Sequence, residues 1–540
     1  MIRRVIKLAA VSAAAALVLS ALPLTGASAA TGVNCSVKTP LNKAQCETAV
    51  VGLTSRIVGL DPSKPRTVVD YQVAYPAQGL LWRFDENLIP RMDLLLKQDV
   101  SKDGLSVFQE LKPGLKYSDG TPVVAQDIVT AVNRQLEGKL FAAFFAKIKS
   151  VVATSPTKVT WNLSSPYPDF NWLMANHAMF INPTAGLKDP NYWNKPVSAG
   201  PMMVQSWTPG SDSLVQVANP NYWAKSKVNQ ITYVGIPDAA TRKLALQAGS
   251  VDYVFDLAYQ SVQDFDKNSV RWSAHALPGT YQLTTNMGMA TVDGQPNPLL
   301  NVYNRQAISA AIDRPTIAKV AYYNTVVPSC AQTFIKGNPY HQCVLPNQGK
   351  QDLALAKKLL AQAGNPNGFS FNLQVWARPA WPEAAQLIKQ QLAQVGITAN
   401  ITVTQDTVAA ADAREGRYQM QYTGNNAPTP YLQLLNWFTP GGVWTNFSRL
   451  NDPVAAAAVD KFGSASNPAQ AKSLLAAANR AAYGNSIHIP VADRAVISGS
   501  RLPQGLIQAT NPGEWLYVAT TPLISTQRGP SGFNTGAKQQ

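Results

Sequence analysis

The sequence predicts an α/β fold in a chain with more than one domain. Residues 231–255 are expected to form an apolar strand, a helix that ends at Gly249 and a second apolar strand. Residues 353–403 repeat this alternation of apolar helical stripes with strands. Two neighbouring strands that a crossover helix joins are expected to run parallel. The chain has 540 residues, which also favours several domains.

Residues 1–30 are expected to be a secretory signal peptide and to take no part in the fold. Three basic residues precede an apolar stretch at residues 8–22, which is short for a membrane span, and an A-x-A cleavage site follows at residues 27–29. A membrane anchor is the competing interpretation. The residues before Cys35 do not fit a lipoprotein signal, so we expect a soluble exported protein rather than a lipid-anchored one, located in the periplasm, at the cell surface or outside the cell.

The four cysteines form two pairs of near neighbours, Cys35 with Cys46 and Cys330 with Cys343. An even number of cysteines in an exported chain indicates two disulfides. Three connectivities are possible, and the local pairing is the natural one; free buried thiols are the alternative. No C-x-x-C motif occurs, so we expect no zinc site. We also expect no cofactor.

The composition describes a globular protein, with 46% hydrophobic and 14% charged residues and a formal net charge of +15. The basic residues are scattered, so nucleic acid is not an expected partner. A solvated basic surface is the favoured explanation, with attraction to an anionic cell surface or an acidic ligand as the alternative.

Catalysis has little support in the sequence. The chain contains no G-x-S-x-G and no H-E-x-x-H motif, and its four histidines are widely separated. A secreted hydrolase is therefore the weaker alternative to a binding protein.

Residues 98–136 predict a hairpin followed by a helix. Apolar and polar residues alternate around Val107, which is typical of a strand, and Pro113-Gly114 favours a turn. Residues 115–117 are expected to return as a second strand. Apolar residues at helical spacing then predict a helix over residues 124–136.

The amino-acid sequence of this segment resembles the signature of the family 5 solute-binding proteins; it is ELKPGLKYSDGTPVVAQD at residues 110–127. These are extracytoplasmic receptors of ATP-driven importers for peptides, nickel and some oligosaccharides. Residues 57–62 resemble the family's first strand, Gly200-Pro201 opens a strand similar to another family motif, and residues 219–223, NPNYW, resemble a family turn. The resemblance spans roughly residues 50–520.

The resemblance implies a periplasmic-binding-protein-like clamp with two lobes and an extra small domain in lobe one. The implied division is domain I of lobe one at residues 31–75, 196–285 and 490–525, domain II at 76–195, lobe two (domain III) at 286–489 and a disordered tail at 526–540. Ligand binding would close the cleft between the lobes by hinge motion.

In peptide-binding members of the family, a carboxylate in lobe two often holds the amino terminus of the ligand. The matching segment at residues 422–431 has Asn426 and Thr429 where the family has two aspartates. An amide is no charge partner for an ammonium group, which makes a free-amine peptide doubtful. This substitution leaves room for blocked peptides, modified small molecules, saccharides or acidic ligands. The alternative is that another acidic residue supplies the charge.

The resemblance and the nearby aromatic residues suggest a set of ligand-binding residues, of which Arg378 would meet a carboxylate and the aromatic rings would stack on the ligand. The set is Tyr75, Tyr281, Asn286, Trp376, Arg378, Tyr422, Asn425, Asn426, Trp437 and Trp444. Core packing is the competing explanation for the aromatic residues.

The sequence therefore predicts the substrate-binding component of an ABC importer, a monomer that carries oligopeptides or peptide-like solutes to a membrane permease. A binding protein for a saccharide or a secondary metabolite is the alternative.

Overall fold

The structure, a computed structural model, describes residues 46–64, 68–84, 90–138, 141–265, 270–331, 341–343, 345–424, 431, 434–435, 437, 448–465, 468–483, 486–502, 507–510 and 515–518. The expected signal peptide, the expected tail and the candidate residues Cys35, Asn425, Asn426 and Trp444 lie outside the described residues. Within the described ranges, no helix combines the length and the apolar character that crossing a bilayer requires.

The described residues form twenty strands and twelve α-helices. The strands are β1 Cys46–Leu53, β2 Trp82–Phe84, β3 Pro90–Met92, β4 Leu95–Val100, β5 Ser106–Leu111, β6 Ile148–Ser155, β7 Lys158–Leu163, β8 Met202–Trp207, β9 Ser213–Ala218, β10 Val228–Gly235, β11 Tyr253–Leu257, β12 Arg271–Thr285, β13 Thr291–Val292, β14 Gln295–Pro296, β15 Ser370–Trp376, β16 Thr398–Thr404, β17 Met420–Gly424, β18 His488–Ser500, β19 Ile507–Thr510 and β20 Trp515–Val518. The helices are α1 Val68–Ala74, α2 Ala125–Gly138, α3 Phe170–Met174, α4 Ala239–Ala248, α5 Ser261–Phe265, α6 Val302–Ala311, α7 Arg314–Val320, α8 Leu353–Gln362, α9 Trp381–Ala393, α10 Asp406–Glu415, α11 Pro453–Gly463 and α12 Pro468–Tyr483.

Ten strands form one continuous sheet in the order β16-β15-β17-β12-β18-β11-β1-β10-β9-β8. The long antiparallel pair β12 and β18, called here the crossing strands, belongs to both halves of this sheet. On one side lies the first lobe (β1 and β8–β11), and on the other lies the second lobe (β15–β17 with α6–α12). The register of the crossing strands shifts between Ala276 and Thr280, and Gly279 there has a φ of +147°, a value that favours glycine.

The β-α-β unit that the sequence predicts is present in the first lobe. Strands β10 and β11 run parallel through α4, whose last turn ends at Gly249 in the left-handed conformation, with a φ of +78°. However, β10 and β11 are not neighbours, because β1 lies between them and pairs in parallel with both.

The expected first strand at residues 57–62 is wrong, because the first described strand is β1. Residues 49–53 form an apolar run that is almost wholly buried, as a strand covered on both faces requires. The backbone N–H groups of Val58 and Gly59 instead donate to the buried carboxylate of Asp70, at 2.6 and 3.1 Å. Ile57 and Leu60 are therefore buried as loop residues.

A separate antiparallel sheet, in the order β4-β5-β7-β6, packs against α2 and α3; these elements are called here the four-stranded unit. The strand predicted around Val107 is confirmed as β5, and β6 and β7 form an antiparallel hairpin beside it. Val107, Ile128, Trp161 and Phe170 are buried in its core. This unit is an antiparallel insertion beside the ten-stranded sheet.

The return strand expected at residues 115–117 is wrong. Both edges of β5 are already occupied, by β4 and by β7, so no edge is left for it. Lys116 and Pro122 form only an isolated bridge, and the N–H of Gly120 donates to the carbonyl of Tyr117 across a tight turn.

The helix predicted over residues 124–136 is confirmed as α2, which begins one residue later. Val124 has no side-chain acceptor for the first helical N–H groups. The carboxylate of Asp127 instead reaches back to accept the N–H of Val124 at 3.1 Å, which is half of a capping box. It also accepts the hydroxyl of Tyr117 and the N–H of Thr184, at 3.0 and 2.8 Å, and so joins α2 to the chain around it.

The second lobe follows the sequence closely. Strands β16, β15 and β17 are parallel, and α9 packs against β15 and β16. Phe371, Leu373 and Val375 alternate along β15 and are all buried, whereas Phe369, which belongs to the same apolar pattern, precedes the strand and is half-buried.

The predicted disulfide between Cys330 and Cys343 is confirmed, with Cα atoms 4.9 Å apart. The pairing of Cys35 with Cys46 stays a prediction, because Cys35 lies outside the described residues and the side chain of Cys46 is not described.

Candidate ligand-binding cleft

Aromatic side chains meet where the crossing strands enter the second lobe. The ring of Tyr281 on β12 stacks on that of Tyr322, with centroids 5.0 Å apart and planes 8° from parallel. The hydroxyl groups of Tyr322 and Tyr422 are 2.8 Å apart and share a hydrogen bond. Together with Tyr259, Trp376 and Trp381, these residues are called here the crossing cluster.

Trp381, the first residue of α9, closes the crossing cluster from the second lobe. Its ring meets those of Tyr281 and Tyr422 edge to face, at 5.6 and 5.8 Å between centroids. The hydroxyl of Tyr281 hydrogen-bonds that of Tyr259 and donates to the carbonyl of Ala495 on β18, at 3.1 Å. The cluster therefore fixes the second lobe onto the crossing strands.

Burial raises the pKa of the phenols of Tyr259, Tyr322 and Tyr422 well above the ordinary value of a tyrosine. These hydroxyl groups stay neutral at physiological pH. The cluster therefore contributes apolar surface and neutral hydrogen bonds.

Two guanidinium groups border the crossing cluster, and both are only half-buried. Arg378 lies over the rings of Trp376 and Trp381, at 5.3 and 5.2 Å. Arg494 on β18 lies over the ring of Tyr281 at 5.8 Å, and its Cδ atom is 3.1 Å from the position that a Cβ on Gly424 would occupy. Positive charge therefore borders the aromatic surface at both places.

The structure thus brings together four of the predicted ligand-binding residues, Tyr281, Trp376, Arg378 and Tyr422. Sequence reasoning missed Arg494. The available signal was an adjacent pair of charged residues, Asp493 and Arg494, in the middle of β18, where a buried strand has little reason to carry charge.

Asn286 and Trp437 lie in the second lobe but outside the crossing cluster, and both are buried. The amide of Asn286 donates to the carbonyls of Gly416 and Tyr418, at 2.8 and 2.9 Å, and holds the end of β12. The ring of Trp437 packs edge to face on His488, 5.4 Å away. Both contacts are those of core residues.

Tyr75 belongs to the core of the four-stranded unit and not to the crossing cluster. Its hydroxyl donates to the carbonyl of Ala175 at 3.2 Å and accepts the N–H of Phe84 at 3.1 Å. Arg83 lies over its ring at 4.9 Å and forms a buried ion pair with Asp93 at 2.8 Å. Tyr75 is thus part of a packed polar network.

The family-like turn at residues 219–223 completes this network. The hydroxyl of Tyr222 and the indole N–H of Trp223 both donate to the carboxylate of Asp93, at 2.5 and 2.8 Å. The turn therefore secures the first lobe to the β2–β3 hairpin that leads into the four-stranded unit.

Two polar grooves of about 300 and 400 Å³ lie at the outer edge of the second lobe, between the β13–β14 hairpin and β15. Asn372 lines both, but none of the predicted ligand-binding residues does. Within the described residues, no three His, Cys, Asp or Glu side chains are grouped as a metal ion would need.

A family model described as bacterial extracellular solute-binding proteins, family 5 Middle, matches residues 90–445. The glutathione-binding protein GsiB of Shigella flexneri is 28% identical over an alignment of 412 residues, and the match covers 72% of this chain and 78% of GsiB.

Two solved structures share the fold. The ABC transporter substrate-binding protein CtaP of Listeria monocytogenes has a TM-score of 0.75 at 19% identity, covering 88% of this chain and 99% of CtaP. The periplasmic binding protein DppA of Helicobacter pylori, in complex with the peptide STSA, has a TM-score of 0.66 at 19% identity, covering 87% and 98%. The chain therefore belongs to family 5 of the bacterial extracellular solute-binding proteins, the substrate-binding components of ABC importers.

Proposed function

We propose that this protein binds oligopeptides or peptide-like solutes at the crossing strands and delivers them unaltered to a membrane permease. The observation that carries the proposal is the pair of half-buried guanidinium groups, Arg378 and Arg494, that border the buried crossing cluster where the two lobes join. The peptide bound to DppA and the glutathione bound by GsiB support the peptide-like class.

The chemistry of this site favours a ligand with at least one carboxylate. A guanidinium group binds a carboxylate through two parallel hydrogen bonds. Asn426, in place of the family's aspartate, favours ligands whose amino end is blocked or displaced. We therefore infer a small acidic peptide or a modified peptide as the ligand.

The test is a titration of the tryptophan fluorescence of the protein with four compounds. They are reduced glutathione, a second tripeptide that has a free amino group, the N-acetylated form of that second tripeptide, and maltotriose. Trp376 and Trp381 lie in the crossing cluster, so a bound ligand should change the emission saturably. Arg378→Gln should weaken binding of the acidic ligands about tenfold, since one charge-assisted hydrogen bond is lost. Lys389→Gln, at an exposed position on α9, is the matched control.

A saturable response to maltotriose alone would support the alternative, a saccharide-binding protein. Mass spectrometry of the bound ligand separates a carrier from a hydrolase. An unaltered ligand after prolonged incubation supports the carrier, whereas turnover would overturn it.

The Asn426→Asp variant tests the assignment of the amino-end position. A carboxylate there should strengthen binding of the free-amine tripeptide about tenfold and leave the N-acetylated tripeptide unchanged, because only the former carries an ammonium group. Equal effects on both peptides would contradict the assignment.

We further propose that the signal peptide is cut after Ala29 or Ala30 and that the mature protein acts outside the cytoplasmic membrane as a monomer. The A-x-A sequence at residues 27–29 supports the cleavage site. N-terminal sequencing of the exported protein and its mass in solution test both statements.

A further inference from the structure

The four-stranded unit and the second lobe touch at Lys147, which immediately precedes β6. The ammonium group of Lys147 donates to the carbonyl of Pro166 in its own unit, at 3.1 Å, and to the carbonyl of Gly463 at the end of α11. Gly463 lies 316 residues further along the chain. One side chain thus links the two sides of the clamp.

Tyr431 of the second lobe adds two more links. Its ring lies 4.3 Å from the ammonium group of Lys147, and its backbone N–H donates to the carboxylate of Asp169 in the four-stranded unit. Its ring also meets that of Tyr167 edge to face, at 6.4 Å. These contacts of Lys147, Tyr167, Asp169, Tyr431 and Gly463 are called here the Lys147 bridge.

The close approach of the Tyr431 ring to α11 depends on the glycine at position 463. A Cβ on Gly463 would overlap the ring of Tyr431, so the close approach needs the missing side chain. The backbone of Gly463 does not have a positive φ, and its conformation alone would suit alanine. Glycine is therefore required here by the neighbour that packs on it.

The charged and titratable groups that face Lys147 are Asp169 and Asp460, with the phenols of Tyr167 and Tyr431. The carbonyls and the ring of Tyr431 replace water around the ammonium group only while the two sides touch. If the sides separate, water solvates the lysine instead. The bridge therefore stabilises only the closed arrangement.

We propose that Lys147 is a positioning residue for ligand binding, whose bridge holds the four-stranded unit against the second lobe and slows the opening of the cleft. The proposal rests on the ligand-binding function proposed above. Lys147 acts through the geometry of the clamp and is no part of the crossing cluster.

Fluorescence energy transfer in the protein without ligand tests the bridge directly. Dyes at Lys158→Cys and Lys358→Cys, both exposed, report the separation of the four-stranded unit from the second lobe. Lys147→Met and Gly463→Ala should each lower the ratio of closed to open molecules about tenfold, the equivalent of one charge-assisted hydrogen bond. Lys149→Met, two residues along at an exposed position of β6, should match the unchanged chain.

Unfolding in urea controls for simple destabilisation, and both bridge variants should keep the unfolding midpoint of the parent. Identical transfer distributions in the parent and in both bridge variants would overturn the proposal. Stopped-flow release of reduced glutathione supplies the kinetic readout, with faster dissociation and nearly unchanged association expected for the bridge variants. If the bridge variants change the energy transfer but none of the tested ligands binds, the proposed ligand class is overturned and the proposed role of the bridge is supported.

Discussion

The crossing cluster and the Lys147 bridge both join two parts of the molecule through aromatic rings, but they are built differently. Every ring of the crossing cluster is nearly or fully buried, and its hydroxyl groups pair with each other or with the crossing strands. The bridge has two tyrosines, one half-buried lysine and a few directional bonds between distant segments. The cluster resembles a core, and the bridge resembles a contact made to separate and re-form.

The free energies of ring burial and of hydrogen bonding explain why the crossing cluster and the Lys147 bridge differ in strength. A buried aromatic ring removes roughly 150–250 Å² from water, worth about 4–6 kcal/mol at 25 cal/mol per Å². A single hydrogen bond contributes only about 0.5–1.5 kcal/mol net, because water competes for both groups. Contacts made by several buried rings, as in the crossing cluster, do not separate in the folded protein. Contacts made by a few polar groups, as in the Lys147 bridge, can separate and re-form.

The largest expected effect is on the crossing cluster. Tyr322→Ala should lower the free energy of unfolding by about 3–5 kcal/mol, because it removes a fully buried ring and leaves a cavity. Tyr322→Phe keeps the ring, loses only the hydrogen bond to Tyr422 and should cost about 1 kcal/mol. Urea unfolding followed by circular dichroism measures both; equal losses would show that the hydroxyl and not the ring dominates.

Per unit of pH, an intermediate effect is expected from acid, and it should involve both the four-stranded unit and the crossing strands. Burial lowers the pKa of His177, in the four-stranded unit, and of His488, on β18, from 6.5 to about 3. The unfolded chain therefore binds these protons first, so stability is complete above pH 6.5 and falls as pH drops from 6.5 toward 3.

The slope should reach about 1.4 kcal/mol per pH unit for each histidine. Urea midpoints measured across this range check it. His177→Phe can stack on Tyr71 as the imidazole does, 4.0 Å away, and should reduce the slope by the share of one histidine. An unchanged slope in this variant would contradict the assignment.

The smallest expected effect concerns the bridge. Lys147→Met removes the hydrogen bonds that the ammonium group donates to the carbonyls of Pro166 and Gly463, a loss of about 1–1.5 kcal/mol net. The energy-transfer measurement should therefore show a smaller closed fraction in this variant than in the parent. An equal loss in Lys149→Met would contradict the assignment to Lys147.

Local patterns predicted the helices and their ends well. Gly249, Gly364 and Gly396, each at the end of an apolar helical stripe, all have a positive φ. Asp127, three residues after Val124, favours the start of α2 by accepting the N–H of Val124 and by its charge near the positive end of the helix dipole. Such features depend on residues within a few positions of each other.

The two misplaced strands show where local pattern is insufficient. Residues 57–62 and residues 115–117 both have strand-like composition. In the first segment a backbone N–H donates to the side chain of Asp70, and beside the second segment other strands already pair with both edges of β5. Which segment pairs with the edge of a strand depends on every other segment that could pair there. Those other segments are distant in the sequence.

The sequence by itself determined the fold class, the family, the disulfide between Cys330 and Cys343 and four residues of the crossing cluster and its border. Only the tertiary structure placed β1 between β10 and β11, Arg494 beside Gly424 and Lys147 against Gly463. The physical reason is that propensity and periodicity act over a few residues. Contacts between lobes depend instead on how whole sheets pack, which no short stretch of sequence encodes.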